Sequence, residues 1–187
     1  LQDTNKISID SSADPLVEDA VDFIADLRQV KDFSSLPIGR NVVVIGGGMT
    51  SIDAEVQYQL LWDEKVTIIY RRNLDNMSAS KKEQNNATSK GVKIITNAVP
   101  TSIYKQNGIH KLNLSYTEVD KHTGKLKELE QTFSIEADQI FCAIGQKFNN
   151  LLDVFKSHKG KIMIDENCKT SVENVWAGGD CVDKGED

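Results

Sequence analysis

Apolar and polar positions change period in a fixed order along this chain. Val42, Val43, Val44 and Ile45 form an unbroken branched run that stops at Gly46-Gly47-Gly48. A run without alternation predicts a strand buried on both faces, as in a parallel sheet. Residues 49–61 then set Ile52, Val56, Leu60 and Leu61 on one helical face. Residues 66–70 repeat the buried-strand pattern. Ser80 and Glu83 have the S-x-x-E spacing of a capping box, which predicts a helix from near Ser80 that closes at Gly91. Residues 92–96 predict the third parallel strand. Upstream, Val21, Ile24, Leu27 and Val30 recur at a helical period over 19–30, after an extended polar stretch over 1–16.

Beyond Pro100 the pattern becomes that of short paired strands over 102–106, 111–119 and 129–135. Asn107-Gly108 joins the first two, and Lys121-His122-Thr123-Gly124 lies between the last two. Leu112, Leu114 and Tyr116 alternate, which predicts a half-buried antiparallel meander with these three on its inner face. The apolar run over 139–144 returns to the main sheet and ends at Gly145. Residues 161–164 and 175–177 predict short strands outside that domain. The fold class is α/β: a Rossmann-like parallel sheet with an inserted antiparallel β-meander.

The turn after the first buried strand carries candidate chemistry. Gly46, Gly47 and Gly48, followed by Met49, Thr50 and Ser51, form a G-x-G-x-x-small fingerprint. Gly46 permits the tight turn, and Gly48 removes a side chain where a phosphate must approach the backbone. The opening helix turn offers free N–H groups and a positive dipole end. Ser51 replaces the usual Gly or Ala but is small enough for close helix–strand packing. The alternative for this motif is a plain βα turn. Arg71-Arg72 stand where an NAD site has an acidic residue for the ribose 2′-OH. Guanidinium forks suit a 2′-phosphate by charge and geometry, which favours NADP(H) over NAD(H). The alternative for the pair is a solvated basic strand end.

The chain has 187 residues, 39% hydrophobic and 27% charged, with a net charge of −6. With no long basic run, nucleic-acid and anionic-membrane partners are not expected. No apolar stretch reaches the roughly 18 residues of a membrane span, and no signal peptide is apparent. Cys142, Cys168 and Cys181 are widely spaced and form no C-x-x-C pair. That usage fits reduced thiols and a cytoplasmic location, with Cys142 a core residue. His110, His122 and His158 are scattered, so no metal site is expected.

The motifs V-V-V-I-G-G-G-M-T-S-I-D (42–53), V-T-I-I-Y-R-R (66–72), M-S-A-S (77–80), A-I-G-Q (143–146) and W-A-G-G-D-C-V (176–182) occur in this order across the chain. Together they resemble the flavoproteins with two dinucleotide-binding domains. The resemblance is strongest to the glutamate synthase small subunit and the NAD(P)H-oxidising part of dihydropyrimidine dehydrogenase. Met49 stands where the glutamate synthase branch often has Asn. The resemblance implies an NAD(P)H domain inserted into an FAD domain. It gives Ala143, Ile144 and Gly145 to the loop near the nicotinamide–flavin junction, and Gly179 and Asp180 to the FAD side, where the Asp holds the ribityl chain. The division it implies is 1–36 as linker and helix entering from the FAD domain, 37–146 as the NADP(H)-binding domain, and 147–187 as the return segment. An early FAD fingerprint and a cysteine-rich Fe–S region do not occur in the chain, which reads as a portion of a longer protein.

The implied activity is hydride transfer from NADPH to FAD, with electrons passing on to Fe–S clusters and a larger partner subunit or domain. No residue of this domain is expected to be catalytic, and Asp53 and Glu55 read as helix charges. A thioredoxin reductase would place C-x-x-C in this domain, yet no cysteine occurs between Asn41 and Phe141. A simple Rossmann dehydrogenase would not need the meander or the late Ala-Gly-Gly-Asp. The alternative from another class is a non-catalytic nucleotide-binding module that senses redox state.

Overall fold

A computed structural model describes residues 2–4, 10–11, 17–36, 39–62, 65–120, 122–148, 154–158 and 160–183. In chain order the elements are β1 (Gln2–Thr4), β2 (Asp10–Ser11), β3 (Val17–Asp19), α1 (Ala20–Gln29), β4 (Asn41–Ile45), α2 (Met49–Trp62), β5 (Lys65–Tyr70), α3 (Lys81–Ser89), β6 (Lys93–Thr96), β7 (Ala98–Gln106), β8 (Ile109–Val119), β9 (Leu126–Glu136), β10 (Gln139–Cys142), β11 (Gln146–Phe148), β12 (Ser157–His158) and β13 (Lys161–Ile162). The chain divides into two compact units, Lys6–Ile144 and Leu1–Asn5 with Gly145–Asp187.

In the larger unit, five strands run parallel in the order β3-β10-β4-β5-β6. The branched run of β4 is buried on both faces, and alternate residues serve two different cores. Val42 and Val44 pack with Phe23, Ile52, Tyr58 and Phe141 on the helical side. Val43 and Ile45 pack with Leu112, Leu114 and Ile140 on the other, where the sheet of order β2-β7-β8-β9 lies. Helices thus cover one face of the parallel sheet and the meander covers its opposite face.

Local signals explain most element ends. The Asp19 side chain caps α1 by accepting from the Val21 N–H at 2.8 Å. Ser80 and Glu83 form the expected capping box at α3, and Gly91 follows that helix at φ 93°. Asn107 (φ 51°) and Gly108 (φ 83°) make the left-handed two-residue hairpin turn between β7 and β8.

The structure also corrects the pattern. The buried stripe of α1 is Ala20, Phe23 and Leu27, with Val21, Ile24 and Val30 only half-buried. On α2, Ile52 is buried; the side chains of Val56, Leu60 and Leu61 lie outside the described residues. β7 starts at Ala98 rather than after Pro100, because the ladder with β8 shifts register between Pro100 and Ser102 and so tolerates the missing N–H. Tyr116 shares the face of Leu112 and Leu114, where its ring packs on Phe133 with centroids 4.8 Å apart, but it lies at the rim and is exposed. β8 keeps its alternation through the register shift against β9 between Ser115 and Thr117, because the extra residues lie on β9; Ser115 and Thr117 are buried on the other face.

In the smaller unit, β1 pairs antiparallel with β11, and β12 with β13. Residues 175–177 form no strand, only a bridge from Trp176 to Lys169. Ile162, Thr170 and Val182 are buried there.

Candidate functional site

Three neighbouring strands of the parallel sheet end side by side. Cys142 of β10 pairs with Ile45 of β4, and Ile45 pairs with Ile69 of β5. The chain leaves β4 towards β5, while β10 lies on the other side of β4. The crevice beyond the carboxyl ends of β4 and β10 is therefore a topological switch point, the place where open α/β sheets take ligands.

The glycine turn fills this edge, and its three glycines differ in what they face. Gly46 has φ 151°, its N–H donates to the Ile69 carbonyl at 3.0 Å, and a Cβ there would collide with the Ala143 carbonyl oxygen and sit 2.5 Å from Ser51 Oγ. At Gly47 a Cβ would run into the ring of Tyr70. Gly48 has no positive φ, and a Cβ there would meet only Ser78 Oγ, at an ordinary 3.5 Å. Neither backbone strain nor packing among the described residues requires glycine at 48. Met49, exposed, and Thr50, half-buried, open α2, while Ser51 is fully buried against the turn. The small third position thus lets the helix start lie against Gly46 and Ala143.

The segment after β5 closes over the turn. The Gly47 carbonyl accepts from the Ala79 N–H at 3.2 Å and the Ser78 hydroxyl at 3.3 Å. Tyr70 donates its hydroxyl to the Asn76 carbonyl at 2.6 Å, which holds its ring over Gly47. Tyr70 and Ser78 carry no chemical signature of the site in the sequence; their only signal is position, one at the end of a buried run and the other within the M-S-A-S motif.

Arg71 and Arg72 follow Tyr70 at the same edge. Arg71 is exposed and Arg72 half-buried. Arg72 Nε is buried and has no hydrogen-bond partner among the described residues. A buried donor without an acceptor is costly, so such a group calls for a partner.

Ala143 lies against Gly46, as described, and its N–H donates to the Ile45 carbonyl at 2.8 Å. Ile144 ends the larger unit, whereas Gly145 (φ 90°) and Gly179 (φ 71°) belong to the smaller one. The side chain of Asp180 lies outside the described residues. Asp53 is exposed on α2, and the side chain of Glu55 is not among those described. Burial, and then the nearby Asp19 carboxylate, push the Cys142 thiol up to about 11, so it is no thiolate nucleophile at neutral pH. Among the described residues no group of three His, Cys, Asp or Glu side chains is placed to hold a metal ion. No described helix is long and apolar enough to cross a membrane.

With this geometry in place, comparison with known proteins identifies the lineage. The family profile of pyridine nucleotide-disulphide oxidoreductases matches residues 5–187. The chain belongs to this family. Its members are NAD(P)H-dependent flavoprotein oxidoreductases. The chain is 31% identical over 169 residues to the NAD-dependent dihydropyrimidine dehydrogenase subunit PreT of Escherichia coli (strain K12), covering 89% of this chain and 37% of that one. It is 27% identical to the small chain of glutamate synthase [NADPH] of Halomonas elongata, covering 90% of this chain and 40% of that one. The chain therefore spans well under half the length of either relative. The crystal structure of T. acidophilum thioredoxin reductase shares the fold at a TM-score of 0.59 and 24% identity, over 79% of this chain and 46% of that one.

Proposed function

We propose that this chain is the NAD(P)H-binding part of an FAD-dependent oxidoreductase of the dihydropyrimidine dehydrogenase or glutamate synthase small-subunit type, and that its nucleotide is NADP(H). The observation that carries the reading is Gly48. Gly46 and Gly47 are needed by the protein's own packing, but at Gly48 a Cβ would meet nothing closer than ordinary contact with Ser78 Oγ. A glycine that the fold does not need, at the start of a helix and at a switch point, is accounted for by a pyrophosphate approaching the backbone. The unpartnered Arg72 Nε fits an anionic ligand in the same way.

The roles of the chain's residues follow. Gly46 to Ser51 shape the turn and present helix N–H groups to the pyrophosphate. Tyr70, Ser78 and Ala79 brace that turn through Gly47. Arg71 and Arg72 supply positive charge for the 2′-phosphate. Ala143, Ile144 and Gly145 border the nicotinamide end, and Gly179 and Asp180 serve FAD in the longer protein. When bound, the two cofactors supply hydride transfer from the nicotinamide to the flavin. In the longer protein, Fe–S clusters and a partner subunit or domain would accept the electrons. The two relatives' names point to different nucleotides, so the preference for NADP(H) rests on this chain's own arginines.

Calorimetric titration of NADPH and NADH tests the reading. Saturable binding of one nucleotide per chain, tighter for NADPH and lost in Gly48→Val, is the expected result. Binding that survives Gly48→Val in a folded protein refutes the site assignment.

A further inference from the structure

Thr117 lies far from Arg71 in sequence and next to it in space. Along β8, Leu112, Leu114 and Tyr116 share one face, and Tyr116 packs there on Phe133 with ring centroids 4.8 Å apart. Ser115 and Thr117 share the other face and are both buried, Thr117 at only 4% exposure. Alternation along β8 therefore brings the Thr117 hydroxyl to the end of β5.

That hydroxyl donates to the Arg71 carbonyl at 2.7 Å. The Thr117 N–H donates to the Asn97 carbonyl at 2.8 Å, and the Asn97 N–H donates to the Arg72 carbonyl at 3.0 Å. Asn97 reaches this position in a left-handed conformation, φ 54°. The last ladder pair between β5 and β6 is Tyr70 with Thr96. The two arginines thus lie just past the strand pairing; Thr117 of the meander holds the Arg71 carbonyl, and Asn97, which leads into β7, holds that of Arg72.

We propose that Thr117 is a positioning residue for nucleotide discrimination, fixing the backbone of Arg71-Arg72 so that their guanidinium groups meet the 2′-phosphate of NADP(H). This rests on the reading of the arginine pair given under Proposed function. A long, mobile side chain loses entropy when it engages a ligand, and a fixed root reduces what must be ordered at that moment. The hydroxyl acts on the arginines' backbone, not on the pyrophosphate turn. Its loss weakens NADPH binding and leaves NADH binding unchanged.

The test is calorimetric titration of both nucleotides into wild type, Thr117→Val, Thr117→Ser and the double variant Arg71→Ala/Arg72→Ala, with folding followed by circular dichroism. Thr117→Val is expected to weaken NADPH binding about three- to tenfold, the worth of one hydrogen bond, with NADH unaffected. Thr117→Ser restores the ratio, and Thr117→Val adds no further loss in the double-alanine background. Where Thr117→Val fails to fold, Thr117→Cys keeps the volume with a weaker donor, and an intermediate loss is expected. A wild-type NADPH-to-NADH ratio in whichever variant folds, or equal losses for both nucleotides, overturns the role of Thr117 and leaves the arginine reading standing. Equal losses of the two nucleotides in the double-alanine protein overturn the arginine reading and this proposal with it.

Discussion

Tyr70 lies across Gly47 so closely that a Cβ on the glycine would fall 2.5 Å from the ring's Cε2. The ring is anchored by its hydroxyl on the Asn76 carbonyl, and the Gly47 carbonyl is in turn held by Ser78 and Ala79. Gly47→Ala therefore forces the turn and the 71–80 segment apart. A loss of about 1–3 kcal/mol of stability is expected, as for other overpacked sites. A fall in the urea midpoint checks it, and an unchanged midpoint rejects the contact.

Gly48→Val has the opposite signature. A Cβ there meets only Ser78 Oγ, at an ordinary contact distance, so circular dichroism and the urea midpoint are expected to stay close to wild type while nucleotide binding is lost. Comparing the two neighbours in one experiment separates glycine needed by the fold from glycine needed by the ligand.

Replacing Arg71 and Arg72 with Ala is expected to weaken NADPH binding far more than NADH binding. Each charge-assisted contact is worth about 1.5–3 kcal/mol, and the exposure of Arg71 pulls its share to the lower figure. The difference shrinks as salt rises, because screening has already weakened the wild-type contact. Titrations at low and high ionic strength measure both effects.

Cys142 gives a pH prediction. Its folded value, about 11, lies above the ordinary 9.0. The folded state thus favours the neutral thiol. Its contribution to stability is complete below pH 9 and disappears as pH rises towards about 11. The stability difference between wild type and Cys142→Ala, followed by denaturant melts across that window, should narrow with rising pH. At neutral pH a thiol reagent should modify exposed Cys168 quickly and Cys142 only on unfolding.

At α3, Ser80→Ala removes the hydroxyl that accepts from the Glu83 N–H at 3.3 Å. A destabilisation of about 1 kcal/mol is expected. Nucleotide affinity at saturating stability should be unchanged, since the cap lies beyond the residues that brace Gly47.

The parts of this structure that were legible in the sequence are those encoded by neighbours. The branched run of β4, the Ser80–Glu83 box and the Asn107-Gly108 turn each carry their own local physics. The three residues of β3 are too few to show a period, and the α1 stripe shifted because Phe23, not Val21, meets the sheet. Alternation gives Tyr116 the right face, against Phe133, but carries no sign that it lies at the exposed rim of the meander. At the site, the glycine turn and the arginine pair stand out as motifs. Tyr70 over Gly47 and Thr117 under Arg71 do not, because strand pairing rather than sequence proximity brings them together.

The position of β10 sets the order in which this unit can assemble. It sits between β3 and β4, and Gln139 joins Glu18 at 3.4 Å across 121 residues. Phe141 supplies the ring that Phe23 of α1 packs on, with centroids 4.4 Å apart. As the chain emerges from a ribosome, β3 has no strand to pair with until β10 arrives, and α1 has only α2, through Phe23 and Tyr58, to pack on. Such distant closure makes folding slow and leaves the early segments dependent on holding until synthesis is nearly done. A cut anywhere before Gln139 would leave β3 and β4 with bare edges, a state prone to pairing with other chains.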